Sequence, residues 1–232
     1  MSSRLVEVAP ERLPGWVERF TASHGPVRLE EAPERLLLGA ADGEVADLEV
    51  PWPPLPAPPA PSSSSSSAAA AEDDDVAERV AALAAHAAAD RTALLVLVRR
   101  GGWAVGLARG GVVLEAVGGT RYVQSRTAAG GWSQQRYARR RANQADGLVG
   151  AAAEGLARVL AQGGPPEVVV PGGDRQLVAD VLAAVARPGS GVHGRLDVLP
   201  QAPLLDVPDP RRRVLDEVAV RARCVRVRVT GP

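Results

Sequence analysis

Lysine is missing altogether: every one of the 27 basic residues is an arginine. No Schiff-base lysine and no lysine-bearing phosphate loop of the Walker type can therefore operate in this chain. Aromatic residues make up only 3%, so the core has to be aliphatic, built from the plentiful Ala, Val and Leu. The single cysteine, Cys224, excludes an intramolecular disulfide and agrees with a reducing compartment. Long apolar runs are lacking too. The opening "MSSRLVEVAPERLPGW" has none of the apolar stretch of a secretory leader, and no segment approaches the length of a membrane span. A soluble, cytoplasmic protein with no membrane partner is expected.

What is present fits a globular chain. The 232 residues, 46% hydrophobic and 23% charged, suffice for one domain with a proper core and an additional segment. The formal net charge is zero, so attraction to nucleic acid has to come from local clustering. Clustering exists. Acids gather at residues 30–34, 42–49 and 72–75, whereas residues 121–141 hold six arginines and no acid.

The sharpest change of composition is "PWPPLPAPPAPSSSSSSAAAA", residues 51–71, which reads as a flexible linker that buries nothing. It separates an N-terminal segment, 1–50, from a main part, 72–232. In the first segment Leu13, Trp16, Val17 and Phe20 fall at helical spacing, and "RLLLG" and "EVADLEVPW" read as strands. A piece this short folds poorly alone, so it is expected to dock on the rest. The main part opens with "EDDDVAERVAALAAHAAAD", a helix begun by Asp73, Asp74 and Asp75 at the positive end of its dipole. Three strands follow: "ALLVLV" (93–98), apolar on both faces and hence central, "WAVGLA" (103–108) and "VVLEAV" (112–117). One long helix spans 134–162, after which "EVVV" (167–170), a helix near 174–187, "RLDVL" (195–199), a helix near 210–220 and "ARCVRVRVT" (222–230) continue the pattern. The fold class is α/β (α+β), a mixed sheet flanked by helices.

Chemistry concentrates in "RYVQSRTAAGGWSQQRYARRRANQ", residues 121–144. Gly130 and Gly131 permit backbone shapes and close approaches that a side chain blocks. Trp132 fits either a core anchor or a base-stacking surface. On the long helix Ala138, Ala142, Ala145, Val149, Ala152, Leu156 and Leu160 form an apolar stripe. Arg136, Arg140 and Asn143 lie opposite it, with Arg139 on the flank. A solubilising surface would explain such charges, but no acid stands four residues on to pair with them, which favours contact with RNA phosphates. Elsewhere the signals are weak. His24, His86 and His193 have no metal-ligand spacing, and Cys224, within a Val-Arg alternation, reads as a packed strand residue. No metal or cofactor is expected.

With the strands before it and "PERLPGW" near the start, this stretch resembles the actinobacterial branch of the Vms-like release factors. These are relatives of the catalytic domain of eukaryotic and archaeal class I release factors, whose Gly-Gly-Gln tip reaches the peptidyl-transferase centre. The resemblance covers most of the chain after residue 71. It implies a ribonuclease H-like catalytic domain acting as a codon-independent peptidyl-tRNA hydrolase on stalled ribosomes or large subunits. Its implied partners are the ribosome, peptidyl-tRNA and ribosomal RNA, with no DNA, and it implies work as a monomer. Gly-Gly-Trp-Ser-Gln stands here in place of Gly-Gly-Gln, so both Gln134 and Gln135 are candidates for the catalytic position, and the Ser-Gln order favours Gln134. Gly130 and Gly131 then shape the tip, and Arg126, Trp132, Arg136, Arg139 and Arg140 hold RNA. Nuclease activity is disfavoured because "ALLVLV" lacks the carboxylate that two-metal nucleases need. The competing reading is a ribosome- or RNA-binding module without chemistry.

Overall fold

The computed structural model describes residues 3–57, 68–120, 133–186 and 196–232, with side chains left aside for 68–73 and 133–144. It is a mixed α+β protein with two sheets among the described residues. The chain divides into two compact units, Met1–Asp90 with Arg221–Pro232, and Arg91–Val220.

The first unit holds β1 (Ser3–Val8), α1 (Leu13–His24) after a 3-10 turn, β2 (Val27–Ala32), β3 (Arg35–Ala40), β4 (Val45–Glu49) and α2 (Ala68–Ala88). "RLVEV" and "VRLEEA", the strands β1 and β2, carry alternation that the sequence reading passed over. Helix α2 begins at Ala68, ahead of the acids expected to start it, because alanine is the best helix former and extends the helix backward. One core gathers Leu13, Val17 and Phe20 of α1, Val76, Val80 and Leu83 of α2, and the inward residues of the sheet.

Part of the proline-rich stretch belongs to that core, a correction to the reading that it buries nothing. Trp52 and Leu55 are buried. The backbone around them is tied down: His86 Nε2 lies 2.7 Å from the carbonyl of Trp52, and the amide of Leu55 donates to the carbonyl of Pro33 at 2.8 Å. Arg79, its side chain only 4% exposed, donates to Glu31 through Nε at 2.9 Å and to the carbonyl of Pro56 at 3.1 Å. A guanidinium buried this deeply needs its full set of acceptors. The proline run supplies one of them.

The second unit opens with a three-stranded meander, β5 (Ala93–Arg99), β6 (Gly102–Arg109) and β7 (Val112–Thr120). After it come α3 (Ser133–Gly163), β8 (Val168–Gly173), α4 (Arg175–Val185) and α5 (Arg212–Arg221). The sheet order is β7-β6-β5-β8, with β5 antiparallel to β6 and parallel to β8. As its unbroken apolar run predicts, β5 lies between two strands and buries residues 93 to 98. On one face Leu94, Val96, Val105 and Leu107 pack against Leu148, Ala152, Leu156 and Val159 of α3 and Val178 and Val181 of α4. The buried line of α3 thus runs through Leu148 and Val159, slightly turned from the expected stripe, while Ala145, Val149 and Leu160 are only partly covered.

Two expected strands differ. "RLDVL" contains a 3-10 turn at Leu196–Val198, and the contact with β8 is made further on, by parallel bridges from Gln201 to Val169 and from Leu205 to Gly172. The carbonyls of Pro200 and Pro171 accept there from Val169 and Leu205, a pattern set by prolines that cannot donate to a continuous ladder. The last strand, β9 (Val225–Thr230), leaves the second unit's sheet altogether and pairs with β1 on one side and β4 on the other. Sequence alternation predicts a strand but not its neighbour.

Candidate functional site

The strands of the second sheet fix a direction. Arg99 at the end of β5 faces Gly102 at the start of β6, which faces Thr120 at the end of β7, while Val98 pairs with Gly173 at the end of β8. These four positions share one edge of the sheet. Helix α3 points toward the same edge. Its last residue, Gly163, lies against Leu107 and Glu115, and Gly155, about two turns earlier, lies against the ring of Trp103. A side chain at Gly155 would collide with that ring, so the glycine sets how closely the helix approaches the sheet.

With 31 residues α3 is about 46 Å long. Its second half is anchored by Leu148, Ala152, Leu156 and Val159, and its first half leads from the edge just defined. Gln134, Gln135, Arg136, Arg139 and Arg140 fall in its opening turns, as the expected helix start near residue 134 requires. The side chains of these five, and Arg126, Gly130, Gly131 and Trp132 entirely, lie outside the described residues.

The same edge carries a feature the sequence reading missed. A cavity of about 900 Å³ is lined by Arg99 and Arg100 from the β5–β6 turn, Arg211 and Arg213 around the start of α5, and Asp174 and Asp209. Gly173 forms part of its wall with φ 94°, where a Cβ would run into the carbonyl oxygen of Val98. Only glycine lets β8 end in so tight a turn. The available signal was the pair "RR" at 99–100 and the triplet "RRR" at 211–213, which read separately as ordinary turn and helix-start charges.

His24, His86 and Cys224 take structural places. His24 Nδ1 is 2.8 Å from Asp42, whose carboxyl is held below its usual range chiefly by that hydrogen bond. His86 secures Trp52, and His193 lies outside the described residues. Cys224 sits in the turn just before β9 rather than within the strand, and burial, aided by Glu7, pushes its thiol above the usual range. A raised thiol is a poor nucleophile. Among the described residues no group of three or more His, Cys, Asp or Glu side chains could hold a metal ion, and no helix is long and apolar enough to cross a membrane.

No curated protein matches the chain. A family model does, over residues 91–228: that of the Actinobacteria/chloroflexi VLRF1 release factor. The match takes in the whole second unit and most of β9, and therefore more than half of the chain. It includes the edge where α3 begins and the glycine-glutamine stretch that precedes the arginines. The chain belongs to the VLRF1 release factor family of Actinobacteria and Chloroflexi.

Proposed function

We propose that this protein hydrolyses the ester of peptidyl-tRNA on stalled ribosomes or large subunits without reading a codon. The observation that carries the reading is α3 itself. A long helix, fixed to a buried sheet by its second half, begins at Ser133, just after Gly130 and Gly131 in the sequence, and bears Gln134 in its first turn. A rigid support of this kind can deliver a reacting group with small positional error, which matters when catalysis rests on placement. In the proposed step Gln134 orients a water toward the ester carbonyl, since a neutral amide both accepts from water and donates. The bond attacked is an activated ester, and the ribosome can position it and stabilise the developing charge, so no strong base is required. Gly130 and Gly131 shape the tip. Arg126, Trp132, Arg136, Arg139 and Arg140 contact ribosomal RNA or the tRNA near the peptidyl-transferase centre. The protein works in the cytoplasm as a monomer without a cofactor. The sheet order β7-β6-β5-β8, with Gln201 and Leu205 bridging beyond β8, supports the ribonuclease H-like topology of the catalytic domain.

The test is peptide release from purified stalled complexes. Gln134→Ala should lower release on the order of 100-fold, the usual loss when one transition-state hydrogen-bonding group is removed, with ribosome binding nearly intact. Gln135→Ala should do less. A dead Gln135→Ala beside an active Gln134→Ala would move the catalytic position by one residue. A wild-type protein that binds ribosomes and releases nothing would establish the binding module instead.

A further inference from the structure

The four arginines of the cavity come from parts of the chain more than a hundred residues apart, and acids pair with only two of them, Arg99 and Arg213. Asp174 caps α4, its Oδ1 accepting from the amides of Gln176 at 3.0 Å and Leu177 at 3.2 Å. Glu217 is engaged by Arg213 at 2.9 Å, on a side chain of Arg213 that is 89% exposed. Arg99 donates to the carbonyl of Val207 at 2.5 Å and meets the fully exposed Asp206 only at 3.9 Å. Arg100 and Arg211 have no ion-pair partner among the described residues. Asp209 is the one remaining acid of the lining. The cavity therefore presents two guanidinium groups, those of Arg100 and Arg211, to solvent without an ion-pair partner among the described residues.

Its position carries a second indication. β5 and β8 run parallel and both end at this cavity. In open sheets, ligands bind outside the carboxyl ends of parallel strands, where the following loops diverge and leave room. A volume of about 900 Å³ suits a group of nucleotide size, larger than a bare anion. Planar guanidinium forks match phosphate oxygens two at a time. A peptide would have no strand to extend here, because β5 already has neighbours on both sides and the outer side of β8 is bridged by Gln201 and Leu205.

We propose that this cavity binds the phosphodiester backbone of RNA, with Arg100 and Arg211 as the principal phosphate contacts and Arg99 and Arg213 at its margins. The site lies on the sheet edge toward which α3 leads. RNA engaged at the tip of α3 thus has a second arginine surface within the same unit. The RNA's identity as ribosomal or transfer RNA rests on the hydrolase reading above. The binding itself does not.

The experiment titrates the full chain against a fluorescently labelled single-stranded oligouridine at several salt concentrations, reading anisotropy, and compares wild type with Arg100→Gln/Arg211→Gln. Loss of two phosphate contacts should weaken binding at least about tenfold at low salt. It should also flatten the slope of log affinity against log salt by about 1.4, at 0.7 per contact on a single strand. Both side chains are exposed, so the melting temperature should hold. Arg35→Gln, which removes an arginine paired with Asp47 in the other unit, should leave the slope unchanged and serves as the control. An unchanged affinity and slope in the folded double variant overturns the proposal. So does a variant that loses binding to an oligoglutamate peptide while binding RNA as before. Since anisotropy needs no release, a protein whose slope falls as expected but which frees no peptide overturns the hydrolase reading alone, and an active hydrolase with an unchanged slope overturns this one alone.

Discussion

Arginine serves two opposite purposes in the two units of this protein. On the outward face of the first unit's sheet Arg35, Arg226 and Arg228 each meet an acid. Arg226 of β9 stands in register between Glu7 of β1 and Glu49 of β4, and reaches Glu49 at 3.3 Å. Arg35 meets Asp47 at 3.4 Å, Arg221 meets Glu7 at 2.7 Å, and Arg223 meets Glu11 at 3.1 Å. At the arginine-lined edge of the second unit Arg100 and Arg211 form no ion pair among the described residues. Both regions look alike in composition. What separates them is whether an acid from a distant strand arrives in register, and an exposed pair of that sort contributes only about 0.2–1 kcal/mol. Pairing neutralises a surface more than it holds one together. Its absence is the better guide to a ligand.

The deepest pair should break hardest. Arg79→Ala leaves Glu31 without its guanidinium and Pro56 without its donor, and should cost about 3 kcal/mol in urea unfolding. Arg79→Met with Glu31→Leu should recover most of it, because the desolvation of both charges then disappears. If Arg79→Ala costs no more than a surface pair, burial is not what distinguishes it. Next in size, reversing charge at Arg136 and Arg140 should weaken ribosome binding about tenfold or more and flatten its salt slope by roughly one unit per lost contact. Stability should move by no more than about 0.5 kcal/mol. A folded variant with unchanged affinity would place those arginines with the merely solvated charges.

Smaller effects belong to the outward face of the first sheet. The hydrogen bond from Arg221, reinforced by the charges of Arg221 and Arg226, holds the Glu7 carboxyl below the usual carboxylate range against the opposing effect of burial. A lowered carboxyl contributes stability above its unfolded range and loses it as pH falls through its folded value. Glu7→Gln should therefore be modestly less stable than wild type at neutral pH, and the gap should close in acid, as chemical denaturation across pH would show. A gap that widened in acid would contradict the assigned cause. Least of all should change on deleting residues 62–67, a serine tract with no apolar group to bury. Its melting temperature and release rate should match wild type, and a large loss would mean that the tract packs as Trp52 and Leu55 do.

Where the physical cause lies within a few residues, the sequence was a good guide. The uninterrupted apolar run of "ALLVLV" required a central strand, and the 3.6-residue period fixed α3 to within one residue at each end. Failures came where the cause was distant. "ARCVRVRVT" alternates as a strand should, yet nothing in it specifies β1 and β4 as neighbours. The proline run hides its burial: composition masks its two large apolar side chains, Trp52 and Leu55, and His86 and Arg79, which hold the carbonyls of Trp52 and Pro56, lie on a later helix. The candidate sites divide in the same way. The contiguous stretch around Gly130 and Gln134 stood out at once, whereas the cavity required Arg99 and Arg211 to be brought together by folding.

The placement of β9 has a consequence for the order in which the molecule can be made. Among the described residues β1 pairs only with β9, and one side of β4 also waits for it. Residues 91–220 are therefore all synthesised before the sheet begun by residue 3 can close. The release-factor unit can fold first, during translation, while β1 and β4 keep open edges of the kind that invite wrong pairing. A nascent chain halted before residue 225 would hold every strand of the second unit's sheet and still lack the one that completes the first. Interrupted synthesis is thus a hazard for the folding of this release factor itself.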